Sequence, residues 1–294
     1  MTVNKQVSAF APGNVSCVFQ IVPSDEPLKM HSLGVCFTVT EGINVSIFPD
    51  SASGDFEIVL NGEIVQFRPV LSVLEALLVK EHSGVRVIIE TALPLGCGFG
   101  VSGASCLATA LAVNELFGLK KNRHDLGMVA HCAEVAHLTG LGDVCGQYHG
   151  GCILRLTKHQ PLAAQRLSIA PSQVYVRIFG PLATDEVLKD ESTRRAINQA
   201  GNLALTELSR FSDASEITLY ELISLSREFA EQSTLIRHAQ VREMLVNIDR
   251  RGGVGSMIML GNGVFANIPF EGAVSMQIGE RGAEVLGAAL EVQE

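Results

Sequence analysis

A glycine-rich loop is the segment whose residue types and spacing point most directly to ligand binding. The segment Pro94–Cys106 (PLGCGFGVSGASC) has glycines at positions 96, 98, 100 and 103, and glycine lets a backbone turn tightly and approach a ligand closely. The Ala- and Leu-rich run that follows predicts a buried helix over Ser102–Phe117, whose first N–H groups and positive dipole end form an anion site. Because no Lys or Arg lies between Val87 and Leu119, a phosphate bound here must be held by backbone amides and a metal.

Two other nucleotide-binding motifs do not fit this loop. The Walker A motif ends in Lys-Ser or Lys-Thr, and the loop has neither. Residues Gly98–Gly103 match G-x-G-x-x-G, but a dinucleotide-binding fold needs a strand and an acidic residue about 20 positions further on, where this sequence predicts the helix start Lys120–Asp125. From the residues alone, a tight turn that serves only packing stays a second interpretation.

Ser102, Glu134 and Asp143 could supply the parts of a phosphoryl-transfer site. Such a site needs a metal that bridges phosphate oxygens and a group that orients the attacking hydroxyl, and Ser and Glu oxygens suit Mg²⁺. Each residue also has a structural interpretation: Ser102 as a helix N-cap, Glu134 as a surface residue and Asp143 as a turn former. The residue types alone leave both interpretations open.

Histidines and cysteines do not indicate another metal site. His131, Glu134 and His137 recur every three residues but match no zinc-enzyme motif. The seven cysteines include no C-x-x-C pair, and most lie among apolar residues, which predicts buried free thiols in a reducing cytoplasm.

Composition excludes several classes of partner. The 294 residues carry a net charge of −9, with 5% aromatic residues and no Trp. A chain with this charge and no basic arm is not expected to bind nucleic acid. No apolar run approaches the length of a membrane span, and the N-terminus lacks a signal-peptide pattern. The sequence therefore predicts a soluble cytoplasmic protein that binds small molecules.

The elements that must position these residues can be predicted from hydrophobic periodicity. The first 90 residues predict short strands with one helix over Ser72–Lys80. These strands are expected at Val7–Phe10, Val15–Val22, Gly34–Val39, Ile43–Phe48, Phe56–Leu60 and Val85–Glu90. After the glycine-rich loop, a second helix runs from Asn122, its N-cap, to Gly140. A turn at Leu141–Gln147 then leads to a strand at Gly151–Leu156.

A boundary between two lobes is expected at Pro161–Pro171. Beyond it, the pattern predicts a strand, three helices and a hairpin, at Val174–Ile178, Glu191–Arg210, Leu219–Gln232, Ala239–Arg251 and Ser256–Ala266. This order of elements favours an α+β fold with an N-terminal lobe, residues 1–165, and a C-terminal lobe, residues 166–294.

Three motifs that occur in order make the chain resemble the GHMP kinase superfamily. They are Pro12-Gly13-Asn14 after the first strand, the Pro94–Ala104 loop, and Gly252–Ser256 near the C-terminus. Within the superfamily, GCGFGVSGA, AEVAHLTGLGDVCGQ and SMIMLGNGVFA resemble the archaeal pantoate kinases. The resemblance implies a two-lobed GHMP kinase fold, with an N-terminal lobe like ribosomal protein S5 domain 2 and a ferredoxin-like C-terminal lobe.

The resemblance also implies an activity and its ligands. We expect ATP and Mg²⁺ as cofactors, pantoate as the small-molecule substrate, 4-phosphopantoate as the product and a homodimer as the assembly. Two alternatives remain open, a GHMP kinase for another hydroxy acid or alcohol and a non-catalytic homologue that binds nucleotide or metabolite.

Site residues follow from the same resemblance. Asp143 would orient or deprotonate the substrate hydroxyl, and Ser102 and Glu134 would bind Mg²⁺. The nucleotide would be bound by Pro94, Gly96, Cys97, Gly98, Phe99, Gly100, Val101, Ser102, Gly103 and Ala104. The substrate would be bound by Asn14, Ser32, Gly253, Gly255 and Ser256.

Two positions depart from the motifs of the pantoate kinases. Asn14 stands where those proteins usually have His, and Leu33 stands where they usually have Arg. Both changes are expected on the substrate side of the cleft, where an arginine would be a natural partner for a carboxylate. Lys29, His31 and Arg155 are the candidates for a replacement cation.

Overall fold

A computed structural model describes residues 3–50, 55–78, 84–182, 187 and 189–292. Its strands are β1 (Val3–Val22), β2 (His31–Asp50), β3 (Phe56–Leu60), β4 (Glu63–Ile64), β5 (Gly84–Thr91), β6 (Cys152–Arg155), β7 (Gln165–Leu167), β8 (Gln173–Gly180), β9 (Gly255–Met257), β10 (Asn262–Ala266), β11 (Val274–Gln277) and β12 (Glu284–Val292). Its helices are α1 (Arg68–Leu78), α2 (Val101–Phe117), α3 (Arg123–Ala136), α4 (Asp143–His149), α5 (Glu191–Leu208), α6 (Leu219–Gln232) and α7 (Ala239–Arg250).

The first sheet has the order β12-β1-β2-β5-β3-β4, with β6 and β7 joined to β2. Its long strands β1 and β2 pair antiparallel, and the pairing register of β1 shifts between Pro12 and Asn14 and again between Ser16 and Val18. Such irregularities re-aim side chains and are common beside active sites. They bring Asn14 and Ser16 to the side of the sheet on which α4 lies.

Helix α2 is the centre of the first lobe. Most of its side chains are buried, as the Ala- and Leu-rich sequence predicts, and it packs against β1, β2, α1 and α3. The helix begins after Gly100 and ends before Gly118, both of which have left-handed backbone conformations. The buried part of the helix includes its first turns, so close packing holds its N-terminus in place beside the sheet.

The second sheet is antiparallel and has the order β11-β8-β10-β9. Its last strand therefore lies beside its first, as in ferredoxin-like lobes, and the two sheets confirm the predicted α+β class. The division into residues 1–165 and 166–294 stays a prediction, because β12 leaves the second part of the chain and pairs with β1 in the first sheet.

The two lobes also share a core. Phe19 of β1 packs edge-on against Phe229 of α6, with ring centroids 5.3 Å apart. Gly201 of α5 lies so close to β1 that a β-carbon on it would be 2.7 Å from the Phe19 carbonyl oxygen. The buried apolar residues of both lobes form one cluster.

The observed elements differ from the predicted ones in several places. The four predicted strands before Pro49 are two continuous strands, because pairing runs on through Pro12 and Gly42. The predicted turn Leu141–Gln147 contains most of helix α4, whose glycines hid its helical pattern. The short strands β4, β7 and β11 and the longer strand β12 were not predicted. Helix α1 begins four residues before Ser72, and its expected end at Lys80 lies outside the described residues.

Among the described residues, every helix is too short or too polar to cross a membrane.

Candidate active site

A cavity of about 360 Å³ lies between the two lobes. On one side it is lined by the glycine loop, which we define as residues 93–100, and by the start of α2. On the other side it is lined by Leu182, Met259 and Leu260 of the second lobe. The polar part of the lining consists of Ser16, Ser32, Ser102, Glu134, His137, Thr139, Asp143 and Lys189.

The glycine loop leads into the first turn of α2, which lines this cavity. Gly96, Gly98 and Gly100 have φ values of 74°, 82° and 63°, which glycine adopts without strain. The first helical hydrogen bond of α2 joins the Ala104 N–H to the Gly100 carbonyl at 3.0 Å, so the three preceding N–H groups have no partner within the helix. With the helix dipole, these groups can hold an anion such as a phosphate.

The second lobe also contacts the glycine loop directly, at the edge of the cavity. A β-carbon on Gly98 would lie 2.6 Å from the Met259 carbonyl oxygen, and the Leu182 N–H donates to the Gly96 carbonyl at 2.9 Å. The loop therefore keeps its shape only where glycine stands at position 98.

Glu134 is buried at the end of α3, with only 1% of its surface exposed. Its Oε1 accepts hydrogen bonds from the hydroxyls of Ser102, at 2.5 Å, and Thr139, at 2.7 Å. Burial raises the pKa of Glu134 to about 7, an effect that the negative charge of Asp143 adds to and the two hydroxyls oppose. A carboxylate in this position needs a cation to stay ionised.

The space beside Glu134 fits a hard divalent cation. Its Oε2 is buried and has no hydrogen-bond partner among the described residues. A β-carbon on Gly140 would lie 2.7 Å from this oxygen and 3.0 Å from Oδ2 of Asp143, so two carboxylate oxygens face one small volume that glycine leaves open. Oxygen ligands of this kind suit Mg²⁺, and Ser102 and Glu134 are the residues that would hold it.

Asp143 is the first residue of α4 and lines the same cavity. Its Oδ1 accepts a 2.7 Å hydrogen bond from the Asn14 side chain. Burial raises the pKa of Asp143, while the Asn14 amide, the Arg155 charge and the Ser16 hydroxyl act in the opposite direction. The carboxyl is thus held in place at Oδ1 and has Oδ2 directed to the space beside Gly140.

A buried arginine lies directly behind this part of the cavity. Arg155 is 1% exposed, its Nη1 donates to the Gly142 carbonyl, and its Nε and Nη2 have no partner among the described residues. A β-carbon on Gly142 would collide with both Arg155 Nη1 and the Ser32 hydroxyl. The positive charge therefore lies immediately beneath Ser32, which lines the cavity.

The other two candidate cations are unsuited to this role. Lys29 is exposed and bonds to Glu26 at 2.8 Å. His31 is buried, and burial together with the Arg155 charge lowers its pKa to about 4, so its imidazole is neutral near pH 7. Arg155 is the candidate whose charge the structure places beside the cavity.

Several nucleotide-binding residues predicted from the sequence line the cavity and others do not. Those that line it are Gly96, Gly98, Gly100, Val101 and Ser102. The cavity lining does not include Pro94, Cys97, Phe99, Gly103 or Ala104 among the described residues. Cys97 and Phe99 are buried in the core, so only their backbone could contact a ligand.

The substrate-binding residues predicted near the C-terminus lie elsewhere. Gly253 packs against Ile248 and Ile268, Gly255 belongs to β9, and the buried Ser256 hydroxyl accepts from Ser226 at 2.9 Å. The structure does not bring these three residues to the cavity. Residues 258–261, a few positions further on, approach the glycine loop instead.

The departures at positions 14 and 33 also need a correction. Leu33 is buried outside the cavity lining, because it follows Ser32 on a strand and successive side chains point to opposite faces. Its expected place on the substrate side is therefore wrong. Asn14 is fully buried and does not line the cavity, but it contacts Asp143.

Sequence reasoning missed several residues of the site. Thr139 binds Glu134, Ser16 lies beside Asp143, and Gln147 donates from α4 to the Gly100 carbonyl at 2.7 Å. Phe67 and Lys189 also line the cavity. The signal for Ser16 was its position two residues after Asn14 on a strand, where side chains share a face. Gln147 had no such signal, because the segment that contains it was predicted as a turn and its helical spacing from Asp143 is visible only in the structure.

Comparison with known proteins gives the family. Residues 68–151 match the family model described as GHMP kinases N terminal domain. The chain is 34% identical to a pantoate kinase of Methanospirillum hungatei JF-1, over 89% of this chain and 87% of that protein. It is 35% identical to a pantoate kinase of Thermococcus kodakarensis, over 91% and 89% of the two chains.

A solved structure described as a phosphotransferase related to the CoA biosynthesis pathway superposes with a TM-score of 0.83 at 28% identity, and the match covers 95% of this chain and 98% of that one. The two-lobed fold that the resemblance implied is thereby confirmed. The chain belongs to the GHMP kinases and, within them, to the pantoate kinase family.

Proposed function

We propose that this protein transfers the γ-phosphoryl group of ATP to the terminal hydroxyl of pantoate and releases 4-phosphopantoate and ADP. The observation that carries the proposal is the pair of carboxylates, Glu134 and Asp143, that face one small volume beside the free N–H groups of α2. Pantoate kinases aligned over most of the chain support pantoate as the acceptor.

The glycine loop and the start of α2 would bind the phosphates of ATP. The chain offers N–H groups and a helix dipole there, while residues 87–119 contribute no basic side chain. Lys189 also lines the cavity and would add positive charge near the phosphates. Binding of this kind aligns the nucleotide without any covalent contribution from the protein.

Ser102 and Glu134 would hold Mg²⁺. When bound, the metal neutralises charge on the phosphate oxygens. A cation beside Glu134 would favour the ionised carboxylate and so lower the pKa that burial raises. Thr139 holds Oε1 in place, so Oε2 is the oxygen that faces the metal position.

Asp143 would act on the acceptor hydroxyl. Asn14 occupies Oδ1, so Oδ2 accepts the hydroxyl proton as the new O–P bond forms and the bond to the ADP oxygen breaks. A carboxyl whose pKa is raised by burial is a better base than an exposed one. The proton leaves Asp143 for solvent after the product departs.

The acceptor carboxylate would lie over Ser32, above Arg155. The guanidinium is buried with two nitrogens unpaired among the described residues, and attraction between opposite charges is strong where water is excluded. A substrate whose carboxylate reaches Ser32 while its hydroxyl lies at Asp143 is therefore favoured over a neutral alcohol. The homodimer expected from the resemblance stays a prediction.

The test is ADP release by the purified protein with Mg-ATP, with and without pantoate, together with identification of the phosphorylated product. A panel of hydroxy acids and alcohols measures selectivity. Asp143→Asn is expected to slow transfer by about 10²- to 10⁴-fold, to a rate that can still be measured, and to keep ATP binding. Absence of pantoate-dependent release, with turnover of another acceptor, would reject pantoate as the substrate, and absence of turnover with every acceptor would reject kinase activity.

A further inference from the structure

Asn14 connects the proposed base to the glycine loop. Its side-chain amide donates to Asp143 Oδ1 at 2.7 Å, and its own backbone N–H donates to the Phe99 carbonyl at 2.9 Å. One buried residue of β1 thus touches both the carboxyl that acts on the acceptor and the loop that would hold the phosphates. The inference rests on the proposed function.

The orientation of the Asn14 amide is determined by its neighbours. A carboxylate only accepts hydrogen bonds, so the NH₂ group must face Asp143. The amide oxygen is then buried without a partner among the described residues, against the backbone of Gly146, where a β-carbon would collide with it. A buried polar atom that is left unpaired costs free energy, which indicates that this orientation is kept for its contact with Asp143.

A second contact fixes the same loop from α4. Gln147 donates to the carbonyl of Gly100, the residue after Phe99. Asn14 and Gln147 therefore hold two successive carbonyls of the glycine loop, but only Asn14 also binds Asp143. The effects of the two residues can therefore be distinguished by substituting each in turn.

We propose that Asn14 is a positioning residue, whose amide occupies Asp143 Oδ1 and so keeps Oδ2 directed at the acceptor hydroxyl, in register with the phosphates. The chain would use an amide here where the pantoate kinase motif usually has an imidazole. A side chain of similar size without a donor would remove the hydrogen bond to Asp143 Oδ1 and leave the carboxyl group free to rotate.

The test compares Asn14→Leu with Gln147→Met as a matched control, since each removes one amide from this cluster. For Asn14→Leu we expect kcat to fall about 10- to 100-fold, the size of effect that a lost general-base alignment has, with the dissociation constant for ATP unchanged. For Gln147→Met we expect weaker ATP binding as the main effect. A double-mutant cycle with Asp143→Asn then distinguishes positioning of Asp143 from a general structural effect. If Asn14 acts only through Asp143, Asn14→Leu should cause no further loss of kcat in the Asp143→Asn background.

Each outcome is decisive. Unchanged kcat in Asn14→Leu, or additive losses in the cycle, would overturn the positioning role while leaving the kinase activity of the wild type standing. If Asn14→Leu does not fold, Asn14→Ala replaces it in the same cycle. The cycle is run with pantoate or with the best acceptor of the panel, and a wild-type protein that phosphorylates no acceptor would overturn both this inference and the proposed function.

Discussion

The Ser102 hydroxyl donates a 2.5 Å hydrogen bond to Glu134, a residue 32 positions further along the chain. This contact joins the first turn of α2, where an anion would bind, to the last turn of α3. Because the Ser102 hydroxyl lies beside the Glu134 carboxylate, the two residues are placed to share one cation.

Glu134→Gln should make the enzyme insensitive to Mg²⁺. The amide keeps the volume and the contact with Thr139 but loses the negative charge, so we expect kcat/KM to fall about 100-fold or more. Titration of activity with Mg²⁺, with chelator as the zero point, is the measurement. A variant that keeps the wild-type Mg²⁺ dependence would show that the metal binds elsewhere.

The same carboxyl predicts a dependence of stability on pH. Without metal, burial raises the pKa of Glu134 from 4.5 to about 7, so between these values the folded protein holds a proton that the unfolded chain has lost. This contribution to the free energy of unfolding is fully present below pH 4.5 and is lost as the pH rises through 7.

Glu134→Gln removes that dependence. Relative to the wild type, the variant should gain stability as the pH rises from about 5 to about 7.5, by on the order of 2–3 kcal/mol. Urea unfolding of both proteins at the two pH values, without Mg²⁺, measures the difference. Titrating groups that do not interact with Glu134 contribute equally to both proteins and cancel. Because the charge of Asp143 acts on Glu134, the comparison is repeated in an Asp143→Asn background, where this coupling is absent. A difference that stays constant or shrinks with rising pH would contradict the raised pKa.

Arg155→Met should weaken acceptor binding without weakening ATP binding. Methionine fills the buried volume but removes the charge behind Ser32, and we expect KM for pantoate to rise about tenfold or more. Initial rates against each substrate give the two KM values. Lys29→Met, which removes an exposed cation paired with Glu26, is the matched control and should change neither. Equal effects of the two variants would exclude Arg155 as the carboxylate partner.

Gly98→Ala should abolish nucleotide binding. The residue has φ 82°, and a β-carbon would lie 2.6 Å from the Met259 carbonyl oxygen, so the glycine loop must move. Gly62→Ala is the control, since Gly62 has φ 89° but nothing within 4 Å of an added β-carbon. Both variants should lose roughly 1–2 kcal/mol from backbone strain, but only Gly98→Ala should lose ATP affinity, measured by calorimetry. Similar affinities in the two would mean that loop shape is unimportant.

The local features of the site could be predicted from sequence because they depend on short segments. Glycine spacing and an Ala-rich run predicted the loop and α2, and Asn122 caps α3 through the Asp125 N–H as expected. Helix α4 could not be predicted, since three glycines in and around seven residues contradict helix propensity. Packing against α2 and β1 overrides that propensity.

Contacts across the chain were less accessible to sequence reasoning. The role of Asn14 depends on Asp143, which lies 129 positions away. Hydrophobic periodicity describes local structure and does not predict such a long-range contact. Gly253 and Gly255 resembled a ligand loop, yet they serve the packing of β9 against α7. Leu33 was misplaced because the face of a strand depends on register, which the sequence pattern of a strand buried on both faces leaves open.

The core that the two lobes share determines how the protein unfolds. Phe19 packs on Phe229, Gly201 fits against β1, and β12 carries the chain back to the first sheet. A fragment cut at the lobe boundary would expose these apolar surfaces and lose an outer strand of the sheet. The two lobes therefore stabilise each other and should melt in one cooperative transition, so the halves of the active site are assembled by the same event that folds the protein.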